Sequence, residues 1–174
     1  SWSGSDDTGV SVTPTNVPGI IGSNAIQGKV AGSKAALYLY YPKTANLGLD
    51  ITKLGTAISI PQLTFYFRAR DSRAGYVGGS NTYLLNVYAV SKPTVNPNLD
   101  NSFLYRISGE ATGSPSASRF VFNATDDWKY ITIPIGPYAP TGSTEFGSIP
   151  VDAWIPGGLS TGSWSNINYF AFVF

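Results

Sequence analysis

The alternation of side chains over residues 63–70 constrains the fold more than any other feature of this sequence. The run reads Leu-Thr-Phe-Tyr-Phe-Arg-Ala-Arg and places an apolar side chain at every second position. A period of two is that of a β-strand with one face in a core, whereas a helix repeats apolar residues every three or four positions. We therefore predict a strand that buries Leu63, Phe65, Phe67 and Ala69.

Several other segments have strand character, and none shows sustained helical spacing. We predict a short strand or turn at 49–52, loops with short edge strands over 1–34, and a long Pro- and Gly-rich loop region over 136–166. Strands are predicted at 35–41, 63–70, 82–90, 102–108, 120–123, 128–135 and 166–174. Seven or eight strands without a strand–helix–strand rhythm favour an all-β fold, an antiparallel two-sheet β-sandwich with little helix.

Length and charge limit the classes of protein to which this chain can belong. With 174 residues, the chain is predicted to form a single domain, 1–174, with residues 1–8 either disordered or derived from a cloning vector. The net charge is +1 and the 11 Lys and Arg are scattered, so we expect no nucleic-acid partner. No apolar run approaches the roughly 20 residues of a membrane helix, so we expect no membrane partner. Because the chain opens at Ser1, we expect a mature fragment or an excised domain.

Cys, His and Met are absent from the sequence. Their absence excludes disulfides, thiolate chemistry, Ser-His-Asp triads and His-based metal sites. Charged residues make up only 12% of the chain, about half the usual share. This composition, rich in Tyr, Asn and Thr, favours an exported, extracellular bacterial or archaeal protein.

Four sequence motifs follow one another between residue 25 and the end of the chain. They are Leu-Asp-Ile-Thr at 49–52, the trio Leu63/Phe65/Ala69, the set Trp128/Ile131/Ile133/Pro134 and the trio Ile167/Phe170/Phe172. This order resembles that of jelly-roll carbohydrate-binding modules of the galactose-binding-like fold. The resemblance implies a jelly-roll sandwich, polysaccharide binding and a packing role for Trp128. Many such modules end in a further strand with paired Asp residues, and this chain stops at Phe174 without it.

The outward-facing side chains of three successive predicted strands are the main candidates for carbohydrate binding. These are Tyr66, Arg68, Asn86, Tyr88 and Arg106. An aromatic plane packs against the apolar face of a sugar ring, and Arg and Asn side chains bond its hydroxyls. The alternative is that these residues form ordinary cross-strand pairs on a solvated sheet, with Tyr rings covering Arg stems.

Two tryptophans in the predicted loop region form a second candidate site. An exposed Trp154 or Trp164 provides a platform for an extended glycan, and we include Trp154 among the predicted carbohydrate-binding residues. The alternative is that each ring folds back and plugs one end of the sandwich.

Paired aspartates suggest a structural calcium ion. The resemblance favours Asp6 and Asp7 as its ligands, and Asp126 with Asp127 is a second pair in a turn context. Calcium takes several oxygen ligands from loops, but turn chemistry accounts for Asp at such positions equally well.

Catalysis is not expected from this sequence. A glycosidase needs two carboxylates about 5–10 Å apart, and the only two glutamates, Glu110 and Glu145, lie in Gly-, Ser- and Pro-rich segments. A lyase could use Tyr66 as base with Arg68 and Arg70 on a uronate, but the chain lacks the motifs and the His of jelly-roll alginate lyases.

The sequence therefore predicts a non-catalytic polysaccharide-binding module of an exported glycan-degrading enzyme. Its ligand is predicted to be a β-linked glycan of the cellulose, β-glucan or xylan class. Its partner is predicted to be a catalytic domain covalently linked in the parent chain. The alternative is a structural or assembly jelly roll of the capsid, fibre or surface-layer type, whose unpaired sheet edge is completed by a neighbour.

Overall fold

The fold is all-β, as predicted. The computed structural model describes residues 1–6, 8, 10–19, 25–29, 36–68, 85–95, 99–106, 127–141 and 153–174. The strands in these ranges are β1 (Ser3–Asp6), β2 (Ser11–Val12), β3 (Thr15–Val17), β4 (Ala25–Gln27), β5 (Leu37–Tyr41), β6 (Gln62–Phe67), β7 (Asn86–Val90), β8 (Ser102–Arg106), β9 (Lys129–Pro134), β10 (Trp154–Pro156) and β11 (Tyr169–Val173). Helix in the described ranges is limited to one 3-10 turn, Ile51–Lys53.

A seven-stranded antiparallel sheet in the order β10-β8-β7-β11-β5-β1-β2 forms one layer. The C-terminal strand β11 lies in its middle, where Ala171 is opposite Tyr88 of β7 and Tyr40 of β5. Both faces of β11 are covered, because Phe170 belongs to the main core and Tyr169 to a second apolar cluster on the other face. A strand covered on both faces reads as a continuous apolar run, which explains why residues 169–174 show little alternation.

Strands β6 and β9 form the second layer. Their antiparallel register places Leu63 opposite Ile133 and Phe65 opposite Ile131. Ile131 and Ile133 join the main core together with Val87 of the large sheet, and Leu63, Phe65 and Phe67 pack against it. The prediction of a two-sheet β-sandwich is therefore confirmed, and so is the inward face predicted for the 63–67 run.

The N-terminal residues belong to the large sheet. Strand β1 lies between β2 and β5, and Gly4 is so close to β5 that an added Cβ would lie 2.8 Å from the carbonyl oxygen of Tyr38. The ring of Trp2 packs against Tyr41 and Phe172, with centroids 5.0 and 5.6 Å apart. The sequence predicted a disordered or foreign terminus here, because a short Gly- and Ser-rich strand carries little apolar pattern.

The remaining segments differ from prediction in detail. Strand β10 lies within 136–166, which was predicted as loop, and pairs with β8. The 49–52 segment enters a 3-10 turn capped by Asp50, whose side chain accepts hydrogen bonds from Thr52 and pairs with Lys53 at 2.9 Å. These bonds lower the pKa of Asp50. The predicted strand at 120–123 lies outside the described residues.

A second apolar cluster covers the outer face of the large sheet. Tyr40, Tyr169 and Val173 are buried there, and Leu99 packs over them from a loop. The hydroxyl of Tyr40 shares a hydrogen bond of 3.0 Å with Ser5 Oγ. Burial of the phenol raises the pKa of Tyr40. This part of the outer face is therefore packed rather than solvated.

Candidate functional site

The five predicted sheet residues lie on two different sheets. Tyr66 and Arg68 belong to the β6 segment, and Asn86, Tyr88 and Arg106 belong to β7 and β8. Strands β6 and β7 both send their alternate residues into the same core, so their other faces point away on opposite sides of the sandwich. The single groove predicted from successive strands does not form, because β6 pairs with β9 rather than with β7.

The outer side of the β6–β9 sheet carries a row of aromatic and polar side chains. We call this the aromatic face, and it consists of Thr64, Tyr66, Arg68, Trp128, Tyr130 and Thr132, all exposed or half-buried. The β6–β9 register pairs Thr64 with Thr132 and Tyr66 with Tyr130. Arg68 and Trp128 come next along the two strands and are also in contact.

Tyr66 and Tyr130 form the centre of the aromatic face. Their ring centroids are 5.0 Å apart and their planes are tilted by 46°. The side chains are 37% and 55% exposed, although rings of this size are usually largely covered. The pair therefore presents aromatic surface and two hydroxyl groups to solvent.

Arg68 lies over the ring of Trp128 at one end of the aromatic face. The guanidinium carbon is 4.6 Å from the ring centroid, which is the geometry of a cation–π contact. Among the described residues, no carboxylate forms an ion pair with Arg68. Its planar set of N–H donors thus lies over an aromatic ring and can bond hydroxyl or carboxylate oxygens.

Asn86 and Tyr88, from the second half of the predicted set, lie on the outer side of the large sheet. Asn86 is directly opposite Arg106 in the β7–β8 register. The side-chain oxygen of Asn86 is buried and has no hydrogen-bond partner among the described residues. Tyr88 is half-buried and packs against the second apolar cluster. The side chain of Arg106 lies outside the described part of the structure.

Trp154 lies in the core instead of on the surface. It is 1% exposed, its Nε1 donates to the carbonyl oxygen of Pro134 at 2.7 Å, and its ring meets Trp164 edge-on at 5.1 Å. Trp164 is itself buried and stacks on Phe103 with centroids 4.2 Å apart. Both rings pack inside the sandwich, so the alternative interpretation, in which each ring folds back into it, is correct. Trp154 offers no surface to a glycan.

Asp6 closes the turn between β1 and β2. Its Oδ1 accepts hydrogen bonds from the backbone N–H and the hydroxyl of Thr8 and from the N–H of Val10, at 2.9, 2.7 and 2.9 Å. Its predicted partner Asp7 lies outside the described residues. In the ranges that the structure describes, no three acidic side chains are grouped so that they could hold a metal ion. Calcium binding at Asp6 and Asp7 stays a prediction. Melting temperatures measured with added calcium and with a chelator test it.

Other acidic and basic candidates are only partly described. Asp127 accepts a hydrogen bond from the N–H of Trp128 at 2.8 Å, which is a turn role. Arg70, Glu110, Asp126 and Glu145 lie outside the described residues.

No helix in the described ranges has the length and apolar character that a membrane crossing requires.

Tyr130 and Thr132 are surface residues that were not predicted from the sequence, and Trp128 was predicted to pack in the core. The signal for all three is the alternation over 128–133, where Ile131 and Ile133 mark the inward side. Alternation then sends Trp128, Tyr130 and Thr132 outward, by the same rule that assigned Tyr66.

Comparisons with known proteins do not assign the chain to a family. A scan against protein-family models finds no match, and searches of curated proteins and of solved structures find no similar protein.

Proposed function

We propose that this chain is a non-catalytic polysaccharide-binding domain that holds a β-linked glycan on its aromatic face. The observation that supports the proposal is the exposed pair of Tyr66 and Tyr130 beside the cation–π pair of Arg68 and Trp128. The aromatic rings offer flat apolar surface to sugar C–H groups. The guanidinium and the phenol hydroxyls offer hydrogen bonds to the sugar hydroxyls.

The shape of the aromatic face suits an extended chain. Residues two apart on a strand lie about 6.7 Å apart, so the row from Trp128 through Tyr130 to Thr132 spans about 13 Å. Thr64 and Thr132 provide hydroxyl groups at one end of the row, and Arg68 provides a positive charge at the other. A polymer that lies along the strands would contact all three residue pairs at once.

Binding without cleavage is the role that this set of residues supports. Glycosidases hold the scissile bond between two carboxyl groups, and the six residues of the aromatic face include none. We propose that the domain is exported and covalently tethered to a catalytic domain. Tethering raises the local concentration of the enzyme at its polymer.

Affinity electrophoresis in native gels that contain soluble xylan or mixed-linkage β-glucan tests the proposal. The unmodified chain is expected to be retarded in at least one such gel, and Tyr130→Ala is expected to lose the retardation. Tyr138→Ala is the matched control, because Tyr138 is 50% exposed but lies in the turn after β9.

Two outcomes contradict the proposal. One is the absence of retardation of the unmodified chain on every plant or algal polysaccharide tested. The other is a stable closed oligomer or filament, seen as a concentration-dependent mass, which indicates a structural assembly protein.

A further inference from the structure

An apolar cavity opens between the two layers of the sandwich. Its volume is about 350 Å³. Phe65 and Phe67 line it from the inner side of β6, and Leu39 and Phe172 line it from the large sheet. It lies where the layer of β6 and β9 faces the seven-stranded sheet.

The N-terminal segment and a two-stranded antiparallel ribbon, in which β3 pairs with β4, form further walls of the cavity. Trp2, Ala25 and Ile26 line the cavity from these elements. The ribbon lies close to β5. At Gly28, directly after β4, an added Cβ would lie only 2.7 Å from Leu39 Cδ2. The ring of Trp2 is fixed in turn by its contact with Phe172. These contacts fix the positions of the walls that line the cavity.

One positive charge lies next to this apolar space. Tyr66 and Trp128 are lining residues, and the guanidinium of Arg68, which adjoins the cavity without lining it, lies over the Trp128 ring with its carbon 4.6 Å from the centroid. Among the described residues that line the cavity, none is charged. A ligand that reaches Trp128 from within the cavity therefore finds apolar surface along its length and a cation at one end.

We propose that this cavity binds a small amphipathic anion, an unbranched hydrocarbon chain that ends in a carboxylate. At about 30 Å³ for each non-hydrogen group, the space takes about a dozen groups, which is the size of a medium chain. The apolar lining favours burial of hydrocarbon, and the fork of N–H donors on Arg68 pairs with the two oxygens of a carboxylate. This site adjoins the glycan site and shares Tyr66, Trp128 and the neighbouring Arg68 with it, whereas Tyr130 and Thr132 belong to the aromatic face and do not line the cavity.

Isothermal titration calorimetry with dodecanoate, below its micelle concentration, tests this inference. Saturable one-to-one binding is expected, and binding of dodecyltrimethylammonium, which has the same chain and the opposite charge, is expected to be at least tenfold weaker. Arg68→Gln is expected to weaken dodecanoate at least tenfold and to leave the ammonium compound unchanged. Ala25→Phe, which fills the cavity, is expected to weaken both.

Matched variants separate the cavity from the aromatic face. Tyr130→Ala removes a ring that does not line the cavity, so dodecanoate binding is expected to persist within twofold of the unmodified chain. Ile26→Phe is a second filling variant for the case in which Ala25→Phe does not fold, as judged by its thermal transition. Equal affinity for the two detergents, or unchanged dodecanoate binding in a folded filling variant, overturns the inference.

Discussion

Tyr66 and Tyr130 lie directly opposite each other on β6 and β9, with ring centroids 5.0 Å apart and both side chains exposed. This relationship connects two segments that are more than sixty residues apart in the chain. It turns the outward half of two separate strand patterns into one surface. Arg68 and Trp128, in a cation–π contact, extend that surface by one more residue pair.

Replacing either tyrosine by alanine is expected to change stability little. Exposed cross-strand pairs contribute about 0.2–1 kcal/mol, so Tyr66→Ala and Tyr130→Ala should each lower the free energy of unfolding by about 1 kcal/mol or less. Urea denaturation of both single variants and the double variant measures the loss and the coupling between the rings. A loss of about 3 kcal/mol in either single variant would mean that the ring belongs to the core.

Trp154→Ala is expected to be among the most destabilising substitutions in the chain. The side chain is 1% exposed and contacts the rings of Tyr105 and Trp164 at 5.1 Å each, so truncation should cost about 3–5 kcal/mol. Trp154→Phe keeps most of the volume but leaves the carbonyl of Pro134 without its donor, at a cost of about 1–3 kcal/mol. Chemical denaturation measures both, and a loss below about 1 kcal/mol for Trp154→Ala would place this ring on the surface after all.

Gly4→Val tests the place of the N-terminal strand in the sheet. An added Cβ would lie 2.8 Å from the Tyr38 carbonyl oxygen and 3.2 Å from that of Val12, so overpacking should cost about 1–3 kcal/mol. Ser11→Val, at an exposed position of β2, is the control and should be nearly neutral. Equal thermal transitions for the two variants would indicate a terminus that lies outside the sheet.

The buried phenol of Tyr40 is expected to contribute to unfolding at high pH. Its pKa is raised in the folded state, so the folded protein holds the proton more tightly than the unfolded chain. The contribution to stability is therefore full below about pH 10, the usual tyrosine value, and is lost as the pH rises further.

Tyr40→Phe removes this ionisation and should reduce the loss of stability between neutral pH and strongly alkaline pH. At neutral pH it should cost about 0.5–1.5 kcal/mol, because the hydrogen bond to Ser5 is lost. Tyr138→Phe, at an exposed position, should leave the alkaline profile unchanged. Denaturant titrations across the pH range measure these differences, and identical profiles for Tyr40→Phe and the unmodified chain would contradict the prediction.

The direction of individual side chains could be predicted from the sequence. Phe65 and Phe67 point inward and Tyr66 outward in the structure, as their alternation indicates. The same holds for β7, where Val87 and Ala89 are buried in the main core. Successive side chains of a pleated strand must point to opposite faces, so this information is local and does not depend on the partner strand.

The partner of each strand could not be predicted in this way. The sequence suggested that Tyr66 and Asn86 share a face because their strands are consecutive, yet β6 pairs with β9 and the two residues lie on different sheets. Nothing in the pattern of one strand specifies which other strand it bonds to. That choice depends on the sum of packing across both layers.

Sequence alone thus determined an all-β chain and the inward and outward residues of its main strands, because both follow from the two-residue period of the backbone. Only the tertiary structure decided that Trp154 is buried, that Tyr130 completes the aromatic face with Tyr66, and that a cavity remains beside Trp2. Each of these depends on contacts between residues far apart in the chain. Such contacts are set by strand pairing and by how the two layers pack against each other.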